Sequence, residues 1–491
     1  MSSEVIYDLS IIGAGVNGAG IARDAAGRGL KVALIEAGDI GGATSSASTK
    51  LIHGGLRYLE FYEFRLVAKA LAEREVILSN APHITWPQSF VLPHVPNVRP
   101  AWMVRAGLFL YDHLARRKQV PGSEGIDLRR DPAGVPLDPS YTKAFRYWDG
   151  WVDDARLVIL NAMDAADRGA DVRTRTRVVS ADRRDDLWNL TLDDGTSLRA
   201  RTVVNAAGPW AGEVARTVLR LNDAPDLKLV QGAHIVVPRI GVGDDAYMLQ
   251  QPDGRIIFVI PYERDFTLIG TTETVIEHPA QVGAIASEVE YLLDAANRYL
   301  AAKPTASDIV HLFAGVRPLV LESDKDARET TRDWQFIEHA GGHALTVVGG
   351  KITTYRVLAE AALAILAPNS RAWTKDAPLP GGDVPRRTEE TGQQAFARWL
   401  RGLKAAHPEV PAAAIDRMAR IHGRATATLL EQGLGDDLGG IYTAELERFV
   451  SREWARSPED VLWRRTKLGL HLDESAKEKV AAWFAVRFTK G

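Results

Sequence analysis

The sequence predicts an α/β protein with more than one domain. Its 491 residues exceed what one hydrophobic core usually accommodates, so two or three domains are expected. The chain opens with a strand, a glycine-rich loop, a helix and a second strand, which together indicate a βαβ unit. Beyond residue 385 the pattern changes to helical periodicity in a segment rich in Ala, Leu, Arg and Glu. The fold class is therefore α/β, with a helical region at the C-terminal end.

Strand-like runs between these two ends indicate a second sheet. They cover residues 233–238, 255–261 and 266–272, and they suggest a mixed sheet in a separate substrate-binding region. A strand, a double glycine and a helix follow at 345–366. The stretch APLPGGDVP at 377–385 has the composition of a linker.

The composition excludes several classes of protein. Hydrophobic residues at 46% and charged residues at 25% are ordinary for a globular chain, and a net charge of -3 argues against general nucleic-acid binding. The absence of cysteine excludes disulfides, thiolate catalysis and cysteine-held iron–sulfur clusters. No apolar run is long enough for a transmembrane helix, and the first residues do not read as a signal peptide. No metal-binding motif stands out.

The first loop has the spacing of a dinucleotide site. Gly13, Gly15 and Gly18 form G-x-G-x-x-G, in which the glycines permit a tight turn, close approach of a pyrophosphate and close packing of helix on strand. The N-terminus of the following helix offers N–H donors to phosphate. The next strand, at 31–36, ends in Glu36, where an acid can bind a ribose hydroxyl. These features predict a dinucleotide site, and at this point NAD and FAD both satisfy it.

Two further features favour FAD over NAD. The polar loop ATSSAS at 43–48 supplies hydrogen-bond donors of the kind that an extended cofactor needs along its phosphates and ribityl chain. Distant strands end in small residues at NAAGPW (205–210) and VVGGKITTY (347–355). The second of these combines Gly349 and Gly350 with a helix N-terminus, which would stabilise negative charge on a reduced flavin.

These segments resemble one known family closely. The segments are YDLSIIGAGVNGAGIARDAAGRGLKVALIEAGD at 7–39, ATSSASTKLIHGGLRYLE at 43–60, AEREVILSNAPH at 72–83, WVDDARLV at 151–158, GVRPLV at 315–320 and GGKITTYR at 349–356. They resemble the FAD-dependent, respiratory glycerol-3-phosphate dehydrogenases. The resemblance is dense from residue 5 to about 385, and DVLWRRTKLGL at 460–470 extends it into the tail.

The resemblance implies a three-part architecture. It comprises a Rossmann-like FAD-binding domain of the glycine/D-amino-acid-oxidase type, an inserted mixed β-sheet substrate domain and a C-terminal α-helical domain. Within residues 1–385, the expected FAD-binding segments are about 1–80, 150–215 and 335–370, the substrate domain is about 81–149 and 216–334, and the helical domain is 386–491.

The resemblance also implies an activity and a location. Such an enzyme oxidises sn-glycerol 3-phosphate to dihydroxyacetone phosphate by hydride transfer to FAD, and its electrons pass to membrane quinone. The expected state is a homodimer in the cytoplasm, held peripherally on the inner face of the cell membrane. Three alternatives stay open: a glycerol-3-phosphate oxidase that uses oxygen, an amino-acid oxidase of the same fold, and a non-enzymatic flavoprotein adaptor.

Polar and glycine residues in the shared motifs are the predicted cofactor contacts. The predicted set is Gly13, Gly15, Gly18, Glu36, Thr44, Ser45, Ser46, Ser48, His53, Gly54, Val178, Gly208, Gly350, Lys351 and Thr353. Whether the flavin is linked covalently is not determined by these residues.

The substrate site must bind a phosphate dianion and take a proton from a secondary alcohol. Arginine suits phosphate because its planar fork binds two oxygens at once. By resemblance the substrate contacts are Arg57, Tyr58, Thr271, Arg317, Arg332 and Lys351. Arg317 is expected to act in catalysis as well. For the base we favour His234, with His53 as the second choice, because histidine titrates near working pH.

Two other motifs are interpreted as a helix cap and as an amphipathic helix. Asp153 and Asp154 precede a helical run, so capping is the expected role. Residues 99–118 combine apolar side chains with arginines and a lysine, and are expected to be helical over 101–119. This segment fits a helix on a membrane surface, and it fits a core-facing helix with a solvated basic end equally well.

Overall fold

The computed structural model describes residues 5–95, 99–241, 243–320 and 334–488. Arg332, a predicted substrate contact, lies outside the described residues. The strands are β1 (Ile6–Ile12), β2 (Val32–Ile35), β3 (Leu51–Ile52), β4 (Thr85–Pro93), β5 (Glu124–Asp127), β6 (Lys143–Val152), β7 (Asp171–Arg173), β8 (Val178–Arg184), β9 (Leu187–Leu192), β10 (Ser197–Asn205), β11 (Leu227–Pro238), β12 (Ala246–Gln250), β13 (Ile256–Tyr262), β14 (Phe266–Gly270), β15 (Thr274–Ile276), β16 (His311–Val320), β17 (Trp334–His339) and β18 (Ala344–Gly349).

Helices cover the sheets and build the C-terminal region. The α-helices are α1 (Val16–Gly27), α2 (Phe64–Asn80), α3 (Ala101–His113), α4 (Asp154–Asp167), α5 (Ala211–Glu213), α6 (Ala286–Asn297), α7 (Tyr355–Leu366), α8 (Gly392–Ala406), α9 (Ala412–His422), α10 (Ala425–Gln432), α11 (Thr443–Glu453) and α12 (Glu474–Phe488). Two π-helical segments, Val214–Val218 and Asp460–Arg465, lie between them.

The first sheet has a parallel core. Its strand order is β17-β18-β10-β1-β2-β7, with β18, β10, β1, β2 and β7 parallel and β17 antiparallel at the edge. The hairpin of β8 and β9 joins it at β10. The central strands are apolar runs because helices cover them, and α1 packs against both α4 and α7. The carboxyl ends of the parallel strands meet at one edge, so the loops after β1, β2, β10 and β18 come together there.

The second sheet is mixed. Its order is β15-β11-β14-β13-β12-β4-β6-β3, with β16 paired to β11 and β5 paired to β6. Neighbouring strands are antiparallel except β12 and β4, which run parallel. In the register of β11, His234 lies opposite Gly270 on one side and Phe313 on the other. The predicted α/β class with a mixed second sheet is confirmed, whereas the predicted domain boundaries stay a prediction.

The C-terminal helices have a core of their own. Leu446, Phe449 and Val480 are buried together there with the apolar side chains around them. The region attaches to the first sheet's helical layer through a buried ion pair between Arg156 of α4 and Glu453 of α11. This attachment joins residues almost 300 positions apart in the chain.

The helix expected over 101–119 is shorter than predicted, because α3 ends at His113. Beyond it the chain turns back. The Arg117 guanidinium lies 2.9 Å from Asp112, and the N–H groups of Lys118 and Gln119 each donate to the Glu75 carboxylate at 2.7 Å. These contacts satisfy the backbone outside a helix, so the basic residues at 116–118 lie beyond α3 and not on its face.

Candidate active site

The glycine turn after β1 is packed too tightly for side chains. A Cβ on Gly18 would lie 1.9 Å from the Gly13 carbonyl oxygen, and Gly13 itself has φ +100°. The turn therefore brings the start of α1 directly onto the end of β1. At the N-terminus of α1, the Val16 N–H donates to the Ser45 Oγ at 3.0 Å. Ser45 is thus the member of the 43–48 loop that faces the helix N-terminus.

Glu36 lies beside this turn. Its carboxylate accepts from the Ala14 N–H at 2.7 Å and from the Gly38 N–H at 2.8 Å. Burial raises the pKa of Glu36 above its usual range, while the two N–H groups act in the opposite direction. The acid at the end of β2 therefore faces the glycine turn, as an acid that binds ribose must.

The remaining hydroxyls of the polar loop point elsewhere. Thr44 Oγ1 donates to the Val316 carbonyl at 2.7 Å, and Ser46 Oγ donates to the Ala43 carbonyl at 3.3 Å. Ser48 donates to the Asp154 carboxylate from both its N–H and its hydroxyl. These three predicted cofactor contacts therefore fix the loop itself in this structure.

A buried ion pair lies beneath the loop. Lys50 Nζ is 2.7 Å from Asp154 Oδ1, and both side chains are almost fully buried. Asp153 accepts from the Arg156 N–H at 3.1 Å, so its predicted capping of α4 is confirmed. Asp154, the first residue of α4, accepts from the Ala155 N–H at 2.9 Å, and its carboxylate is also the partner of Lys50 and Ser48.

The second glycine turn, after β18, contacts the loop that carries His53. The His53 N–H donates to Thr353 Oγ1 at 3.2 Å, and Asn17 of α1 donates to the Gly349 carbonyl at 3.1 Å. Gly350 has φ +90°, a conformation that L side chains rarely adopt. The turn thus joins α1 to the loop of His53, which places both at the same edge of the first sheet.

Gly54 rests on a buried polar network that the sequence did not reveal. Its N–H donates to the Tyr111 hydroxyl at 2.8 Å, and that hydroxyl donates to Asp149 at 2.8 Å. Asp149 is paired with Arg74 at 2.8 Å. Burial raises the pKa of Asp149, and Arg74 opposes the shift. A Cβ on Gly54 would lie 2.7 Å from the Tyr111 hydroxyl, so glycine is required for this contact.

The His53 loop borders a pocket of about 130 Å³. Its lining brings together five of the predicted site residues: His53, Arg57, Tyr58, Thr271 and Arg317. The lining also includes residues that the sequence did not single out, namely Leu51, Gly55, Leu56, Phe61, Phe90, Tyr147, Asp149, Met248, Arg255, Ile256, Phe258 and Glu273. Lys351 is not part of the wall, but its Nζ lies 4.0 Å from the centre of the Tyr58 ring.

Arg317 is positioned by contacts within the second sheet. Its Nη2 donates to Thr271 Oγ1 at 3.3 Å, and its Nη1 lies 3.6 Å from Glu273. A Cβ on Gly232 would lie 2.5 Å from Thr271 Oγ1 and 2.7 Å from Arg317 Nη2, so glycine at this position of β11 leaves room for the ends of both side chains. The arginine and threonine therefore present adjacent donors to the pocket.

His234 lies outside the pocket wall. It is buried, its Nε2 is 2.9 Å from Thr49 Oγ1, and its ring stacks on Phe313 with centroids 4.9 Å apart. Burial lowers the pKa of His234 well below its usual range, and the charges of Arg317 and Lys50 lower it further. The imidazole is therefore neutral near pH 7.

Thr272, Val178 and Gly208 have mainly structural surroundings. Thr272 accepts from the Ala233 N–H on β11 and donates to Glu288 on α6. Val178 is buried at the start of β8, and Gly208, with φ +55°, begins a short turn after β10. Over the described ranges, no group of three His, Cys, Asp or Glu side chains could hold a metal ion. No helix in the same ranges is long and apolar enough to cross a bilayer.

The fold and this site define a class of protein. A parallel sheet with a glycine turn and an acid at its carboxyl edge binds a dinucleotide, and the adjoining mixed sheet supplies a small pocket with arginines in a largely apolar wall. The family model described as FAD dependent oxidoreductase matches residues 8–356. The chain belongs to this family of FAD-dependent enzymes, and within it to the relatives of the glycerol-3-phosphate dehydrogenases. FAD is the cofactor, so that prediction is confirmed.

Three known proteins illustrate the relationship. The chain is 48% identical to D-erythritol 1-phosphate dehydrogenase of Brucella abortus, with 99% of each chain covered. It is 46% identical to glycerol-3-phosphate dehydrogenase of Pseudomonas tolaasii over 98% of this chain and 95% of the relative. Its fold matches the FAD complex of glycerol-3-phosphate dehydrogenase from Bacillus halodurans with a TM-score of 0.78, at 27% identity, over 100% of this chain and 92% of that one. The predicted resemblance is confirmed.

Proposed function

We propose that the protein oxidises sn-glycerol 3-phosphate to dihydroxyacetone phosphate, with FAD as the hydride acceptor. The observation that carries the proposal is the pocket in which Arg57, Thr271 and Arg317 meet His53 at the flavin-binding edge of the first sheet. Near-full-length relatives named glycerol-3-phosphate dehydrogenase support the choice of substrate. FAD supplies the hydride-accepting chemistry, and the protein supplies binding, orientation and proton transfer.

In this proposal the phosphate binds at Arg317 and Arg57. The Arg317 guanidinium lies beside Thr271 Oγ1, so a phosphate oxygen can accept from both groups at once. Glu273 is 3.6 Å from the same guanidinium and holds its orientation.

The proton of the substrate hydroxyl goes to a histidine. His53 lies on the pocket wall, whereas His234 is buried and bonded to Thr49. The positive charge of Arg317 is one cause of the low pKa of His234, and a bound phosphate dianion offsets that charge. His234 therefore becomes a stronger base when substrate is present, while His53 acts by direct contact. His53→Asn and His234→Asn distinguish the two histidines. Only replacement of the histidine that acts as the base should slow flavin reduction while FAD stays bound.

D-erythritol 1-phosphate is the second candidate substrate. The relative that bears this name is 48% identical to the chain, slightly above the glycerol-3-phosphate dehydrogenases at 46% and 47%. D-erythritol 1-phosphate has one more carbon than sn-glycerol 3-phosphate, and this carbon carries one more hydroxyl. Glu273 on the pocket wall is an acceptor for such a hydroxyl. If the four-carbon substrate is the natural one, Glu273→Gln lowers kcat/KM more for D-erythritol 1-phosphate than for sn-glycerol 3-phosphate. Equal losses on both substrates would reject a hydroxyl contact.

The deciding experiment is anaerobic reduction of the flavin. The purified holoenzyme is mixed separately with sn-glycerol 3-phosphate, D-erythritol 1-phosphate and a D-amino acid, and the flavin absorbance is followed. We expect rapid bleaching by one of the two polyol phosphates and none by the amino acid. Bleaching by the amino acid alone would identify an amino-acid oxidase. No bleaching by any of them, with FAD bound, would favour a non-enzymatic flavoprotein.

We propose membrane quinone as the electron acceptor. The support is the implied respiratory role of the family and an exposed apolar surface near the pocket. Reduced enzyme should be reoxidised by a soluble quinone much faster than by air, with little peroxide formed. Stoichiometric peroxide formed without quinone, at a rate equal to that of reoxidation by quinone, would instead indicate a glycerol-3-phosphate oxidase.

An aromatic patch is the proposed membrane contact. Its exposed side chains are Phe61, Tyr62, Phe64, Trp102, Met103, Phe109 and Leu110. In α3 Leu108 and Tyr111 face the core, so the helix has apolar side chains on both its inner and outer faces. An outer face of this kind is typical of a protein surface that meets lipid. Phe61 also lines the pocket, which would bring lipid-soluble quinone close to the site.

Vesicle flotation tests this contact. Trp102→Ser combined with Phe109→Ser should release the protein from anionic vesicles, whereas Val486→Ser, an exposed apolar residue on α12, should not. Replacing Arg116, Arg117 and Lys118 with Glu should also weaken binding, although Arg117 already pairs with Asp112. Unchanged flotation of the Trp102→Ser/Phe109→Ser variant and of the variant with Glu at 116–118 would reject this patch as the membrane contact. The proposed location is the inner face of the cell membrane, and the proposed assembly is a homodimer.

A further inference from the structure

The C-terminal region reaches the nucleotide end of the first sheet through two arginines. Arg464 and Arg465 end the π-helical segment Asp460–Arg465. Both guanidinium groups bind the Asp39 carboxylate: Arg464 Nε lies 2.5 Å from Oδ2 and Arg465 Nη2 donates to Oδ1 at 2.8 Å. These partners are more than 420 positions apart in the chain. The three residues together are called the Asp39 cluster below.

The cluster is buried and held from both sides. The Arg465 side chain has no exposed surface, and that of Asp39 is 4% exposed. Arg465 also donates to the Glu453 carbonyl, and Arg464 pairs with Asp460 at 2.5 Å. A buried carboxylate with two charged donors is strongly fixed, because loss of a donor leaves charge without compensation.

Asp39 lies on the loop that follows Glu36. In this loop the Gly38 N–H donates to the Glu36 carboxylate, and the Gly41 N–H donates to the Ala14 carbonyl at 3.0 Å. Ala14 in turn donates its N–H to Glu36 at 2.7 Å. The loop, the acid and the glycine turn therefore form one hydrogen-bonded unit. Any group that fixes Asp39 also fixes the position of the Glu36 carboxylate.

We propose that Arg464 and Arg465 are positioning residues for the adenosine end of FAD. By holding Asp39, the C-terminal region keeps the Glu36 loop in the form that binds the cofactor. The coupling is reciprocal, because a region that raises FAD affinity must itself be stabilised when FAD binds. The C-terminal region is thus coupled to the cofactor site through the Asp39 cluster.

The test measures FAD affinity in the full-length protein. FAD is removed reversibly, and its Kd is determined by quenching of flavin fluorescence for wild type, Arg464→Gln and Arg465→Met. Loss of either arginine should raise Kd by about tenfold, as expected for a coupling of this kind. Arg464→Lys, which retains the charge, should recover part of the affinity.

Arg417→Met is the matched control. Arg417 forms a similar buried pair with Glu445, at 2.6 Å, but has no contact with Asp39 among the described residues. It should lower Tm like Arg465→Met and leave the FAD Kd unchanged. If Arg465→Met fails to fold, Arg464→Gln decides the matter, because Arg464 is partly exposed.

Two outcomes would overturn the proposal. One is a wild-type Kd in both Arg464→Gln and Arg465→Met. The other is an equal rise in Kd for Arg417→Met, which would mean that general loss of stability weakens FAD binding. Hydrogen exchange gives an independent readout: FAD should slow exchange in residues 453–465 of wild type, and this protection should disappear in Arg464→Gln.

Discussion

The nucleotide end and the substrate pocket are built on opposite principles. At the nucleotide end the proposed binding groups are backbone N–H groups, a helix N-terminus and one acid, all within residues 13–45. In the pocket the proposed binding groups are side chains of the His53 loop, of Thr271 just after β14 and of Arg317 on β16, and the loop lies more than 200 positions from the other two along the chain. The first site depends on how closely the backbone can approach, and the second on how side chains are held.

This difference determines how each site tolerates change. A backbone site is destroyed by an added methyl group, because the groups that collide cannot move away. A side-chain site loses affinity in proportion to the contact removed, and its fold survives. Variants of the two regions should therefore separate into those that lose FAD and those that keep FAD but lose substrate.

The largest effect on substrate is expected at Arg317. Arg317→Ala removes a charged donor that lies beside Thr271, so kcat/KM should fall by about 30- to 1,000-fold, which corresponds to about 2 to 4 kcal/mol. FAD content should be unchanged. Steady-state kinetics on sn-glycerol 3-phosphate with flavin content measured in parallel provides the check.

Arg129→Ala serves as the control for this variant. Arg129 is an exposed arginine paired with Asp127 on the second sheet's edge strand, away from the pocket. It should leave kcat/KM within twofold of wild type, because an exposed ion pair away from the pocket contributes little. A wild-type kcat/KM in Arg317→Ala would remove this arginine from the phosphate site.

Two glycine variants compare the regions directly. In Gly18→Ala the new Cβ meets the Gly13 carbonyl oxygen at 1.9 Å, so we expect a loss of about 3 kcal/mol in stability and little bound FAD. In Gly232→Ala the new Cβ meets the ends of the Thr271 and Arg317 side chains, which can rotate away. That variant should keep FAD and raise KM.

Flavin content and Tm measure the difference between them. Gly107→Ala is the control, since nothing lies within 4 Å of a Cβ there and the residue sits inside α3. It should raise stability by about 0.5 to 1 kcal/mol. Equal FAD loss in Gly18→Ala and Gly232→Ala would contradict the distinction between the regions.

The same difference explains what the sequence could predict. The glycine spacing and Glu36 lie close together in the sequence, and the tight turn fixes their geometry, so the turn and the acid beside it were predictable from the sequence. The fold class was predictable because the parallel strands are apolar runs separated by helical patterns. The resemblance brought together Arg57, Thr271 and Arg317, although their spacing in the sequence gives no sign that they meet.

Other parts of the site were not predictable from local pattern. Tyr111 and Asp149 lie on different elements and contact Gly54 only through the tertiary fold. The direction of hydroxyls within the 43–48 loop depends on partners such as Val316 and Asp154 that are far along the chain. The end of α3 at His113 was missed because the Glu75 carboxylate that receives the following N–H groups belongs to α2.

Acidification should affect the nucleotide end through Glu36. Burial raises the pKa of this acid, so it takes up a proton at a higher pH than an exposed glutamate does. The carboxylate is the form that accepts from ribose hydroxyls, and FAD affinity should fall as pH is lowered through that raised pKa. Glu36→Gln should bind FAD about tenfold more weakly at pH 7, as expected for about 1.4 kcal/mol lost at a charged acceptor. Its Kd should not vary with pH over the same interval.

Equilibrium titration of FAD between pH 5 and 8 tests this behaviour. Arg317→Ala should follow the wild-type pH profile, because its side chain belongs to the pocket and not to the nucleotide end. A wild-type pH dependence in Glu36→Gln would show that another group controls cofactor release on acidification.

The smallest effect is expected behind the pocket, where side chains support backbone. Tyr111→Phe removes the hydroxyl that accepts from the Gly54 N–H and donates to Asp149, at a cost of about 1 kcal/mol. The variant should keep FAD and raise KM a few-fold, because the neighbouring Arg57 and Tyr58 are less firmly held. Tyr147→Phe loses a buried hydroxyl whose hydrogen-bond partner, among the residues the structure describes, is the Met248 sulfur, so it should change KM less. An equal change in both variants would mean that general packing, and not the bond to Gly54, sets the position of the loop.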